Sequence, residues 1–228
     1  MRTRTRTTSR TSVAIDRTYS RWYYHRRMSA LTDLYRQMAA CNACELARGR
    51  TQVVPGEGAE DADILFIGEA PGFNEDKQGR PFVGAAGAFL DSLLASAGLN
   101  RSDVYIANVV KCRPPNNRDP LPREIEACRG WLERQIELIR PRIIVTLGRF
   151  SLARYMPNES ISKVHGKPRR VGDIVCFPMY HPAAALHQAS LRKVIEEDMK
   201  RLPVLLKSLE RTESAEPSVQ GGEQLSMF

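Results

Sequence analysis

Four short apolar runs, at residues 64–68, 104–109, 143–147 and 174–179, constrain the fold of this chain more than any other feature. Each is bounded by turn residues and shows no polar alternation, as expected of strands covered on both faces. Helical periodicity fills the stretches between them, at 86–97, 123–139 and 150–155. A further amphipathic helix is expected at 29–40 and a last one at 190–209. Alternation of this kind predicts an α/β fold: a three-layer sandwich with a central four-stranded parallel sheet and helices on both faces. Ligands of such sheets bind beyond the carboxyl ends of the strands. Three unusual segments fall there: Gly68-Glu69-Ala70-Pro71-Gly72 after the first strand, Asn108 near the end of the second, and Tyr180-His181-Pro182 after the fourth.

A chain of 228 residues, 42% of them hydrophobic, suits one core. The expected domain spans 28–209, flanked by a basic segment at 1–27 and a polar tail at 210–228. Nearly all of the formal net charge of +8 lies in the first 27 residues, where eight arginines face a single acid, Asp16. Global charge therefore says little about the folded part, and nucleic-acid contact there must come from local patches. Residues 1–27 read either as a disordered arm or as a start assigned upstream of the true one at Met28. No stretch of about 18 apolar residues is present, so no spanning helix is expected. The chain is expected to act as a cytoplasmic monomer.

Cys41 and Cys44 form a C-x2-C pair, and Cys112 and Cys128, with 15 residues between them, stand much further along. With no secretory signal, a disulfide framework is not expected. Two neighbouring and two distant thiolates can close a four-thiolate site for either zinc or an iron–sulfur cluster, and the spacing alone leaves zinc slightly ahead. Cys176, inside an apolar run, reads as core.

Taken together, Gly68-Glu69-Ala70-Pro71-Gly72, Arg80-Pro81-Phe82-Val83-Gly84, Asn108-Val109-Val110-Lys111-Cys112-Arg113-Pro114-Pro115 and His181-Pro182-Ala183 resemble the type-4 uracil-DNA glycosylases, in order and in cysteine spacing. The resemblance covers about residues 28–209. It implies a 4Fe-4S cluster on Cys41, Cys44, Cys112 and Cys128, in a structural role, displacing zinc. It also implies hydrolysis of the N-glycosidic bond of deoxyuridine flipped out of single- or double-stranded DNA. A related subgroup that traps uracil sites through a histidine carries an insertion after the second strand. Here the loop from Lys111 to Pro120 has neither histidine nor extra length.

Such an enzyme must extract the nucleotide, grip the base by its polar edge, and stabilise a cationic sugar beside an anionic base. On the resemblance, Phe82 offers a flat face to uracil, and Gly68, Glu69 and Ala70 line the base. The Asn108 amide accepts from N3–H and donates to O4, a pairing that the reversed edge of cytosine frustrates. His181 donates to O2 as charge builds there. Catalysis is assigned to His181, Asn108 and Glu69. The best-known uracil family has an aspartate where this chain has Ala70, so the backbone around Glu69 and Ala70 or the Asn108 side chain must hold the water. That family's thymine-blocking tyrosine is replaced by Gly72, which makes Glu75 the expected neighbour of uracil C5.

DNA contact is expected from Lys111, Arg113, Lys163, His165 and Lys167 on loops around the crevice, with Lys77, Arg80, Arg118 and Arg169 nearby. Leu186 is the expected wedge into the vacated stack. Gln224, Leu225, Met227 and Phe228, at the end of the polar tail, resemble the short motif by which bacterial repair proteins bind the sliding clamp. The competing reading is a non-catalytic iron–sulfur or zinc nucleic-acid-binding module of the same fold.

Overall fold

The computed structural model describes residues 30–213. The chain runs from α1 (30–39) through α2 (Leu46–Gly49), β1 (Glu57–Gly58), β2 (Ile64–Gly68), α3 (Phe73–Gln78), α4 (Ala85–Ser96) and β3 (Tyr105–Asn108). A 3-10 turn at Pro115–Asn117 leads into α5 (Pro122–Ile139), β4 (Ile143–Leu147), α6 (Arg149–Tyr155) and α7 (Ile161–Val164). The remainder is β5 (Arg169–Val171), β6 (Ile174–Met179), α8 (Pro182–His187), α9 (Ser190–Met199) and α10 (Leu202–Glu213).

The four apolar runs form the parallel centre of the sheet, but the sheet has six strands, ordered β1-β3-β2-β4-β6-β5. The expected four-stranded sheet is corrected by two antiparallel edge strands, β1 on β3 and β5 on β6. Neither has an apolar signature to read. β1 is two residues in a glycine-rich loop, and all three residues of β5 are exposed. The final helix also departs from expectation. It divides into α9 and α10, because Pro203 has no N–H with which to continue the ladder of α9.

Alternate side chains of β2 enter opposite cores. Ile64 and Phe66 pack with Leu90 and Leu94 of α4 and with Ile195 and Met199 of α9. Leu65 and Ile67 pack with Leu31 of α1, Leu46 of α2, and Leu132 and Ile139 of α5. Each such side chain, taken from water, contributes roughly 1.5–3 kcal/mol, and burial on both faces explains why these strands lack polar alternation. Among the described residues no helix is long and apolar enough to cross a membrane. Residues 1–27 and the four clamp-motif residues Gln224, Leu225, Met227 and Phe228 lie outside the described residues.

The register fixes where the site forms. β2 pairs in parallel with both β3 and β4, with Gly68 opposite Asn108, while β4 pairs with β6 so that Leu147 faces Met179. Since β3 and β4 leave β2 on opposite sides, β2 is a switch point, where the loops beyond the strand ends part and leave a crevice.

Candidate active site

That crevice is a cleft of about 440 Å³, lined by Glu69, Glu75, Phe82, Asn108 and His181 among others. The size lies within the range of small-molecule pockets. Six of the seven residues expected to contact the base thus meet there, Ala70 among them. Gly68 does not line the cleft itself but lies against Asn108 and Phe82. A methyl group at Gly68 would collide with Asn108 Oδ1 and stand 2.7 Å from the ring of Phe82. The absence of a side chain at 68 is what keeps a slot open between the amide and the aromatic face.

Asn108 is 2% exposed, and its Oδ1 is buried without a hydrogen-bond partner. An orphaned acceptor of this kind costs about 1–3 kcal/mol, and it suits a site whose donor arrives with the ligand. Phe82 is held in the left-handed region at φ 51°, an uncommon conformation for a residue with a side chain. Arg101 donates to the carbonyls of Pro81 and Phe82, and α4 approaches so closely that any side chain at Gly87 would strike the Phe82 carbonyl. The ring so placed stacks on His181, with centroids 5.5 Å apart and planes 30° apart.

His181 caps α8, accepting the Ala183 N–H at Nδ1 over 3.1 Å. Burial pushes its pKa down from 6.5 to about 4, against a smaller opposing effect of Glu75. The ring is therefore neutral at physiological pH, and with Nδ1 accepting, the proton sits on Nε2 as a donor. Because the unfolded chain binds the extra proton first, His181 favours folding fully above pH 6.5, and this contribution fades as pH falls towards 4. An NMR titration is expected to show the His181 ring unchanged from pH 8 to 5; a midpoint near 6.5 would contradict the assignment.

Glu75 has a clear structural function. Its Oε1 accepts from the backbone N–H groups of Val83 and Gly84, both at 2.9 Å, and its Oε2 accepts from Gly72. It clamps the Phe82 loop to α3, a role that the sequence reading, which placed it beside uracil C5, did not foresee. Glu69 is half-buried in the cleft wall, and burial and the Asp119 charge raise its pKa while Arg149 opposes them.

The expected DNA-contact residues divide. Lys111 must be corrected. It is 1% exposed, and its ammonium donates to the Asn108 carbonyl at 2.9 Å and to Gln135 at 2.6 Å, so it cannot reach a phosphate. Its position inside a run of basic loop residues concealed that the chain turns it inward. Lys163 and Lys167 are exposed. His165 hydrogen-bonds Asp198 at 2.7 Å and packs on Tyr180. Leu186 on α8 is 49% exposed.

Cys41, Cys44, Cys112 and Cys128, drawn from the end of α1, the turn before α2, the loop after β3, and α5, line one small cavity with Arg50 and Trp131. None of the four forms a disulfide. Three of the sulfurs accept N–H groups: Cys41 from Trp131 at 3.4 Å, Cys112 from Arg50 at 3.3 Å and Cys128 from the Lys111 backbone at 3.3 Å. Donors of this sort tune thiolate-bound metal centres. Among the described residues no three His, Cys, Asp or Glu side chains are arranged to hold a single metal ion. Cys176 is buried elsewhere, in the core.

Residues 55–202 match the model of the uracil DNA glycosylase superfamily. Among curated proteins, a type-4 uracil-DNA glycosylase of Sulfurisphaera tokodaii is 50% identical over 77% of this chain and 84% of its own length. One from Archaeoglobus fulgidus is 49% identical over 77% of this chain and 92% of its own. Another, from Thermotoga maritima, is 48% identical over 73% and 90%. The chain belongs to the type-4 uracil-DNA glycosylases of that superfamily.

Proposed function

We propose that the protein hydrolyses the N-glycosidic bond of deoxyuridine flipped out of DNA, starting base-excision repair. The observation that carries this reading is the orphaned Asn108 Oδ1 beside a stacking ring, a pair that calls for a flat ligand presenting an N–H donor. Uracil N3–H meets Oδ1 and uracil O4 meets the Asn108 amide. Phe82 covers the base. As the C1′–N1 bond breaks, electron density moves onto uracil O2, where the Nε2–H of His181 stabilises it by hydrogen bonding. The Glu69 carboxylate stands beside the cationic sugar, and water adds to C1′, its released proton neutralising the uracil anion, to give free uracil and the abasic sugar. With Ala70 contributing only a methyl group, the water is held by Glu69 and the adjacent backbone.

The four cysteines fit a 4Fe-4S cluster by donor type and by their N–H···S contacts. Such a cluster would tie α1 to α5 and to the loop that follows Asn108, stiffening the side of the cleft. Arg113, Lys163 and Lys167 would contact phosphates, and Leu186 would enter the gap left by the flipped base. The test is incubation of the purified protein with a uracil-containing oligonucleotide, followed by alkali. A brown preparation that produces breaks only at uracil supports both proposals. A colourless one points to zinc, and intact DNA points to a binding module.

Residues 224–228, outside the described region, are proposed to tether the enzyme to a sliding clamp, raising its local concentration at DNA. Deleting them is expected to abolish clamp binding in a pull-down while activity on a short oligonucleotide is unchanged. Absence of any clamp affinity in the full-length protein would refute the tether.

A further inference from the structure

Most large apolar side chains of this domain are inside, which makes an exposed ring at the mouth of the cleft notable. Phe73 opens α3 and lines the cleft, yet is 48% exposed. Lys77 lies 4.4 Å and the Arg113 guanidinium 5.0 Å from its ring centre. Arg113 is braced in turn by Asn117, to which its Nε donates at 2.7 Å. The rim of the cleft is thus an aromatic face with two cations over it. Neither the uracil contacts nor the clamp of Glu75 uses Phe73.

We propose that Phe73 is a stacking platform for the nucleobase adjacent to the flipped uracil on the same strand, with Lys77 and Arg113 leaving the ring for the flanking phosphates as that base arrives. This rests on the uracil-DNA reading of the cleft. An exposed cation–π contact is weak and easily exchanged, whereas base–aromatic stacking is stronger, and it tolerates any sequence because every base has a π-face. Phosphates likewise offer the two cations a better partner than a ring. The platform holds the strand and contributes nothing to bond cleavage, so its effect lies in KM.

The experiment compares wild type, Phe73→Ala, Phe73→Leu and Phe73→Trp on single-stranded oligonucleotides containing one uracil. Each is assayed with ordinary flanking nucleotides and with both flanking nucleotides made abasic. Phe73→Ala and Phe73→Leu are expected to raise KM about tenfold on the ordinary substrate, with kcat unchanged, and Phe73→Trp to restore it. On the abasic-flanked substrate the variants and wild type should converge. Inhibition by free uracil should be the same in all four. An unchanged KM in Phe73→Ala, or an equal loss on both substrates, would overturn the proposal. So would a fall in kcat accompanied by weaker uracil inhibition. An inactive wild-type protein would instead refute the uracil-DNA reading itself, which separates the two failures.

Discussion

Asn108→Ala and His181→Ala are each expected to slow uracil release by about 100-fold or more, the usual consequence of removing a donor aimed at developing charge or a partner that orients the reacting group. The two are proposed to act at different atoms, Asn108 at the N3 and O4 edge of the base and His181 at O2. Asn108 is held at the end of β3 opposite Gly68, and the His181 ring is locked by its Nδ1 contact to Ala183. Because both sit on a preformed frame, the truncated proteins should keep their fold and their cysteine site. Single-turnover kinetics on a uracil oligonucleotide supply the measurement. A loss of less than about tenfold in either variant would remove that residue from the catalytic set.

Gly68→Ala is expected to be as damaging to activity, although it adds only a methyl group. The new Cβ would press on the Phe82 ring and the Asn108 amide, so one of them must move. Displacing a reacting partner by about 1 Å can cost 100-fold in rate, and overpacking costs about 1–3 kcal/mol of stability. For a domain of this size that corresponds to roughly 2–4 °C in Tm per kcal/mol. The expected result is a kcat/KM lower by about 100-fold, with a cooperative unfolding transition still present at reduced Tm. Activity close to wild type would mean that uracil does not occupy the slot between Asn108 and Phe82.

The centre of the fold was legible because burial on both faces leaves a strong mark. Ile64-Leu65-Phe66-Ile67 has no polar residue to interrupt it, and each of its side chains enters one of the two cores. The edge strands were not legible, since Glu57–Gly58 and Arg169–Val171 pair through backbone alone and their side chains face solvent or loop. The site followed the same division. A carboxamide at the end of an apolar strand drew attention to Asn108, but only the resemblance to the family raised it above an ordinary loop-capping asparagine, and the cysteine spacing marked a four-thiolate site without choosing between zinc and a cluster. The inward turn of Lys111 depends on Gln135, which is 24 positions away in sequence and on another element. Two of the three backbone bonds of Glu75 likewise depend on a loop eight and nine residues further on. Nothing local in the sequence reports such contacts. The strained φ of Phe82 was equally hidden, being imposed by Arg101 and by the close approach of Gly87.

The uracil reading requires that Asn108 Oδ1 receive the N3–H of a flipped uracil. Two single-stranded oligonucleotides, identical except that one carries deoxyuridine and the other N3-methyldeoxyuridine, test this by the rate of base release. Methylation removes the one proton that Oδ1 requires and leaves O2, O4 and the glycosidic bond in place. The expected result is ready release of uracil and release of the methylated base slower by about 100-fold or more, the scale of discrimination lost when a buried polar group is left without its partner. Equal rates on the two substrates would contradict the account.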